Sequence, residues 1–361
     1  MIDFEQGIVN RGTWGKIQAV MDRAAAGEAI TVAFLGGSIT QGSLSSTPQT
    51  CYAYLVYRWW QEKFPSAGIR YVNAGIGGTT SQFGAARVEE DVLRYQPDFV
   101  LTEFSVNDDN SLHFRETYEG LVRTVLKSGA ALMLMNNVCY DSGANAQDQH
   151  LPVAQHYGLP MVSMKPTVYA ALQRGDMRNR DITPDDLHPN DAGHALVAQG
   201  ICHLLEKIRV APREKTDAKM PAPITANRYE GSRRYQNHNS QPALQGFVAD
   251  PTPQNHITEC FRRGFTAWKA GDSISFDLEC TCVGVQYRKS VTQPTPIAKI
   301  TVDGGHELVL DGNFKETWGD CLYLGTVYEG TQREKHTVKI QILEAHENDA
   351  VPFYLVSVIG S

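Results

Sequence analysis

Ser38, Asp185 and His188 are the residues of this 361-residue chain whose types and spacing point to chemistry. Ser38 stands in Gly36-Gly37-Ser38-Ile39-Thr40, directly after the apolar run Ile30-Thr31-Val32-Ala33-Phe34-Leu35, and far downstream lies Asp185-Asp186-Leu187-His188-Pro189. A strand ending in two glycines turns sharply, leaves the serine hydroxyl unshielded and lets a carbonyl group approach the Ser38 amide. Gly-Gly-Ser alone also fits an ordinary turn or a phosphate-cradling loop, so its partners carry the reading. A histidine can take the serine proton and later return it to a leaving alcohol. Asp185, three residues before it, can reach the imidazole face opposite the serine and hold the required tautomer. A nucleophile, its base and the group that orients the base read together as a serine esterase.

Two further segments end where an oxyanion would form. Tyr71-Val72-Asn73-Ala74-Gly75-Ile76-Gly77-Gly78-Thr79-Thr80-Ser81 is a strand running into a glycine-rich turn and then a helix. Val100-Leu101-Thr102-Glu103-Phe104-Ser105-Val106-Asn107-Asp108 is a second buried-strand pattern, ending on an amide side chain. Donors from both are expected to join the Ser38 amide around a tetrahedral intermediate.

These four blocks, in this order, resemble the SGNH (GDSL-type) hydrolase superfamily over about residues 9 to 210. Carried over by position, the resemblance implies Ser38 as nucleophile, Gly78 and Asn107 with the Ser38 amide as oxyanion hole, and Asp185 and His188 as the remaining triad members. Gly37 stands where the family usually has Asp, and Ser105 where its third block usually has Gly. The α/β-hydrolase elbow, Gly-x-Ser-x-Gly in mid-chain with distant acid and base, is a different pattern: here position 40 is Thr, and Asp185 and His188 share one loop.

Strand-like runs at 30–35, 69–73, 99–104, 131–136 and 161–163 alternate with helical runs at 14–26, 52–64, 82–95, 116–127 and 192–209, the last capped by Asn190 or Asp191. The expected first domain, 1–210, is a flavodoxin-like three-layer α/β/α unit with a parallel sheet. Its functional loops emerge on the carboxyl edge, where open α/β folds bind ligands. Residues 211–223 read as a proline-bearing linker. From 224 to 361 the period changes to two, as in 273–280 and 337–342. Asp303-Gly304-Gly305 and Asp311-Gly312-Asn313 supply hairpin turns, which predicts a jelly-roll-like antiparallel β-sandwich resembling a carbohydrate-binding module. Within it, Phe314-Lys315-Glu316-Thr317-Trp318-Gly319-Asp320 offers Trp318 and Asp320 as sugar contacts, by stacking and by accepting hydroxyl protons, and the domain is expected either to bind carbohydrate or, with this loop over the Ser38 cleft, to shape the active site. In the first domain, Trp59 is expected in the core and Trp60 at the surface. His194 is expected to be structural, and Asp186 to face solvent or cap its turn.

An SGNH-like domain followed by a sandwich resembles, in domain order, the mannan acetylesterases of carbohydrate esterase family seventeen. The activity so implied is removal of acetyl groups from an acetylated oligosaccharide, with no metal or other cofactor. Two alternatives remain: a lipase or thioesterase acting on another small ester, for which no long apolar lid segment is evident, and an inactive carbohydrate-binding protein, against which the intact triad argues.

Composition narrows the classes further. A formal net charge of -7 and pI near 5.9 argue against an electrostatic nucleic-acid binder. No apolar run approaches the roughly 20 residues of a membrane helix. The acidic start Met1-Ile2-Asp3-Phe4-Glu5-Gln6 has no basic segment before an apolar stretch, so a cytoplasmic protein without secretory signal is expected. Cys51, Cys139, Cys202, Cys260, Cys280, Cys282 and Cys321 suit reduced thiols better than a disulfide framework or a structural zinc. The expected partner is the oligosaccharide substrate, with neither nucleic acid nor membrane; a homo-oligomer is compatible with the sequence, which does not fix the oligomeric state.

Overall fold

Parallel strands covered by helices on both faces are apolar along their whole length rather than alternating, and the run at β4 (Phe99–Glu103) and that at β5 (Ala131–Asn136) are buried at every position. The computed structural model describes residues 2–216, 219–316 and 318–361. They divide into two units, Met1–Glu230 and Gly231–Ser361.

In the first unit, β1 (Ile8–Asn10), α1 (Gly15–Ala25), β2 (Ile30–Gly36), α2 (Ser38–Gln41), α3 (Tyr52–Lys63), β3 (Ile69–Gly75) and α4 (Ser81–Asp91) precede β4. Next come α5 (Leu112–Lys127), β5, α6 (Gln147–His156), β6 (Met161–Ser163), α7 (Ala170–Gln173), α8 (Asn179–Ile182) and α9 (Asp191–Val210). The sheet order is β1-β6-β5-β4-β2-β3. Without β1, this is the flavodoxin-like order, with β2 between β3 and β4 and these two neighbours reached in opposite directions. In such sheets ligands bind in a crevice beyond the carboxyl ends at this switch point, and here the loops after β2, β3 and β4 carry Ser38, Gly78 and Asn107.

The sheet is mixed rather than wholly parallel. Edge strand β1 runs antiparallel to β6, pairing Ile8 with Val162; at three residues it is too short to show a period. Helix α6, also unforeseen, contains Pro152 and has only a weak apolar face. Along α3 the buried positions Tyr52, Val56 and Trp60 recur at every fourth residue, so one helix face meets the core. The expectation for the tryptophan pair is thereby reversed: Trp60 is wholly buried and Trp59 only partly.

The first unit extends past the expected linker to Glu230. Glu214 accepts the Trp14 amide at 2.6 Å, Arg213 pairs with Asp22, and Arg228 forks onto Glu116 of α5 at 2.7 and 2.9 Å. Positions 217 and 218 of that stretch lie outside the described residues.

The second unit holds β7 (Arg233–Tyr235), β8 (Ala243–Gln245), β9 (Val248–Ala249), β10 (Phe265–Ala267), β11 (Ser273–Lys289), β12 (Ile297–Val302), β13 (His306–Asp311), β14 (Cys321–Glu344) and β15 (Phe353–Gly360). All pairings between these strands are antiparallel. The long strands β11 and β14 pair along most of their length, with register breaks at Cys280/Cys282 and Val283/Gly284, and such bulges bend a strand pair. Ile274, Phe276, Leu278 and Cys280 point inward at period two to meet Val338, Ile340 and Ile342 in one core. Asp303 and Gly304, at φ 54° and 69°, make the tight hairpin between β12 and β13. Asp311–Asn313 does not make a hairpin: Asp311 Oδ1 accepts the Asn313 amide at 2.9 Å, and the chain leaves the edge strand toward Ser290.

Candidate active site

The β2 and β3 ends are paired at Gly36 and Gly75, and α2 sits directly on them. A Cβ on Gly36 would overlap the Thr40 hydroxyl and the Glu103 carbonyl, and one on Gly75 would overlap the Gln41 backbone. Only glycine lets the short helix come this close. Ser38 is its first residue, so its amide has no intrahelical partner. Asn73 adds a second tie from β3, donating to the Thr40 carbonyl at 2.8 Å while accepting the Gly75 amide at 2.9 Å.

His188 arrives from the loop before α9, whose start is set by Asn190 accepting the Gly193 amide. Its Nε2 lies 2.9 Å from Ser38 Oγ and its Nδ1 2.7 Å from Asp185 Oδ2. A carboxylate only accepts, so Nδ1 carries the proton and Nε2 of the neutral ring accepts from the serine. Asp185 Oδ1 takes the His188 amide at 2.7 Å, the Leu187 amide at 3.0 Å and the Thr183 hydroxyl at 3.2 Å. Burial pushes the Asp185 carboxyl up, but the His188 ring and these amides outweigh it and hold the group below its ordinary value.

Asp186 faces the other way. At φ 64° it accepts from Asn179 at 2.9 Å and Arg180 at 2.6 Å, and its carbonyl takes the Tyr140 amide at 2.7 Å. It ties the triad loop to its surroundings. His194 is structural: buried in α9, it receives the Tyr52 amide at 3.3 Å and bonds the Ser43 carbonyl at 3.2 Å. Close by, Asp191 holds the loop after Ser38 through the Ser46 hydroxyl and amide and the Thr50 hydroxyl, which bring its carboxyl down to about 2.

The amides of Ser38 and Gly78 have no hydrogen-bond partner among the described residues. Gly78 has φ +68° and open space where a Cβ would be. Asn107 lies against Gly37: a Cβ there would stand 2.5 Å from Asn107 Oδ1, an atom buried without a partner among the described residues. Ser38 and Gly78 thus each present a free N–H on the loops after β2 and β3, and Asn107, on the loop after β4, brings a carboxamide beside Gly37 whose nitrogen makes no hydrogen bond among the described residues; N–H donors of this kind are what an oxyanion requires.

Several supporting residues were not singled out from the sequence. Glu103, at the end of β4, is buried, and burial raises its carboxyl to about 6 against hydrogen bonds from the Ser105 hydroxyl and amide at 2.6 and 2.8 Å. This gives Ser105, at the position of the family's usual glycine, a definite role. Asp108 lies next to Asn107 and meets His150 Nε2 at 3.0 Å, both side chains wholly buried. Gln41 and Arg87 also reach this edge of the sheet, at the Gly77 amide and at the Gly36 and Ala74 carbonyls. The adjacency of Asp108 to Asn107 was visible in sequence, whereas its partner 42 positions away was not.

Trp318 and Asp320 belong to the second unit, in a loop whose Thr317 lies outside the described residues. Trp318 is 67% exposed and edge-on to Phe314 at 5.1 Å. Asp320 is engaged by its own surroundings, accepting from the Ser290 hydroxyl at 2.8 Å and the Val291 amide at 3.0 Å.

Residues 34–196 match the profile of the GDSL-like Lipase/Acylhydrolase family. Over its whole length the chain is similar to a two-domain esterase (CEX) active on acetylated mannans, at 56% identity and TM-score 0.97, covering 99% of that chain. The form of that esterase co-crystallized with mannopentaose matches at 56% identity and TM-score 0.96, over 100% of this chain and 98% of the other. An acetylxylan esterase of Geobacillus stearothermophilus is 26% identical across 46% of this chain and 89% of its own length.

Proposed function

Because the chain belongs to the GDSL-like lipase/acylhydrolase family, we propose that it is a serine esterase that removes acetyl groups from O-acetylated oligosaccharides, mannan-derived ones foremost, through an acyl-enzyme. The observation that carries the reading is the unbroken line from Asp185 through His188 to Ser38, at 2.7 and 2.9 Å. The acetyl-mannan preference is supported by the full-length similarity to an esterase active on acetylated mannans.

In this reading His188 Nε2 takes the Ser38 proton as Oγ attacks the acetyl carbonyl. The new oxyanion is met by the Ser38 and Gly78 amides and the Asn107 side chain. Asp185 orients the ring and stabilises the imidazolium that forms. The imidazolium then protonates the leaving sugar hydroxyl as the C–O bond breaks. Water, deprotonated by the same histidine, adds to the acetyl-serine; collapse returns the proton to Oγ and frees acetate.

Replacing Ser38 by Ala should lower acetate release by on the order of 10³ or more with folding intact. Parent-like rates in that variant would end the serine mechanism. Among acetylated mannan, xylan and chitin oligosaccharides, the mannan series should be turned over with the highest kcat/KM; equal rates on all three would remove the mannan preference.

A second reading concerns the Gly231–Ser361 unit, which we propose binds the sugar chain. It is supported by the exposed Trp318 beside Phe314, and by Tyr323, 43% exposed. Flat aromatic faces suit the apolar side of a pyranose ring. Asp320 shapes the loop that presents Trp318.

A further inference from the structure

The turn that carries Gly78 is held at both ends by side chains from the two segments that supply the other oxyanion donors. At one end the Gly77 amide donates to Gln41 Oε1 at 2.7 Å, and Gln41 closes the short helix that Ser38 opens. The partner is a backbone N–H, so the amide oxygen of Gln41, not its nitrogen, faces it. At the other end the Ser81 amide donates to Asp108 Oδ1 at 2.9 Å, and Asp108 directly follows Asn107. The second oxygen of Asp108 meets His150 Nε2 at 3.0 Å, and Tyr118 stacks on that imidazole at 3.7 Å. Asp108 is thereby fixed from both sides.

Between these anchors the Thr79 hydroxyl donates to the Ile76 carbonyl at 2.6 Å, and Gly78 itself is exposed. A Cβ added there meets nothing within 4 Å, and Gly77 is exposed as well. Hydrogen bonds at Gly77, Thr79 and Ser81 therefore set where the Gly78 N–H points. We propose that Gln41 and Asp108 are positioning residues: together they clasp the Gly77–Gly78 turn so that its free amide faces the oxyanion beside the Ser38 amide and Asn107. The clasp ties all three donor segments to one another. This inference rests on the serine-esterase reading above.

Gln41 is the informative member, because it is exposed and its loss leaves no buried charge, whereas removing Asp108 would strand His150 in the core. Gln41→Leu keeps the bulk and deletes the acceptor; Gln41→Glu keeps an acceptor oxygen. With the full chain and an aryl acetate, Gln41→Leu should lose about ten- to a hundredfold in kcat with KM nearly unchanged, less than the about 10² to 10³ expected for removing a donor outright. Inhibition by a boronic acid that adds to the serine should weaken by a similar factor, the melting temperature should hold, and Gln41→Glu should recover most of the rate. A Gln41→Leu enzyme within about twofold of the parent kcat, or a Gln41→Glu enzyme as impaired as Gln41→Leu, overturns the clasp. Ser38→Ala assayed alongside separates the two claims. If it is as active as the parent, the esterase reading fails; if it is inactive while Gln41→Leu is fully active, only the clasp fails.

Discussion

The guanidinium of Arg87, wholly buried in α4, donates to the Gly36 carbonyl at 3.0 Å and, through its other terminal nitrogen, to the Ala74 carbonyl at 2.7 Å. One charged group thus pins the ends of the two strands on which α2 and the Gly78 turn are built. Its own charge is met by Asp91 one helical turn on, at 3.1 Å.

Replacing Arg87 by Leu should destabilise the protein by about 3 to 5 kcal/mol, because Asp91 is left buried without its cation and two carbonyls lose a donor. Urea unfolding followed by tryptophan fluorescence measures this. A loss below about 1 kcal/mol would mean that the strand ends are held by packing alone.

Gly37 is needed for space rather than for backbone freedom. Its φ of -85° is open to any residue, yet an added Cβ would stand 2.5 Å from Asn107 Oδ1. Gly37→Ala should therefore displace Asn107 and cut kcat on an aryl acetate by about tenfold or more, with little change in melting temperature. Parent-like kcat would show that Asn107 relaxes freely or does not serve the oxyanion.

Glu103 makes stability depend on pH. Its folded-state carboxyl lies at about 6, against about 4.3 for an unperturbed glutamate. A raised value means that the fold prefers the protonated group. The associated stability is complete below the unfolded value and is lost as pH rises through about 6, by about 2 kcal/mol in all. The unfolding free energy of the parent relative to Glu103→Gln should fall by that amount between about pH 4 and 7. A difference that stays flat would show that Glu103 ionises as readily in the fold as in the unfolded chain.

Trp318→Ala tests the second unit. If Trp318 stacks on sugar, KM for an acetylated mannooligosaccharide should rise about five- to tenfold while kinetics on an aryl acetate are unchanged. Equal KM for parent and variant on the oligosaccharide would remove Trp318 from substrate binding.

The five parallel strands were legible as mostly apolar runs, wholly buried in β4, β5 and β6 and partly exposed in β3, and the long helices because their apolar faces repeat every three to four residues. The same logic misjudged Trp59 and Trp60, whose order follows from the phase set at Tyr52 and Val56, and overlooked β1, which has too few residues for a period. Ser38, Asp185 and His188 were legible because glycines before a serine, and an acid three residues before a histidine, are local patterns.

Gln41, Arg87, Asp108 and His150 carry no such pattern. Each does its work through a bond to a residue distant in sequence: Gly77, Gly36 and Ala74, Ser81, and Asn136. Local order and residue type determined which groups could react and which elements would carry them. The strand order, which sets β2 between β3 and β4, decided that those groups would share one crevice and which buried side chains would hold them there. Pairing between strands depends on contacts across the whole chain, and no single segment records it.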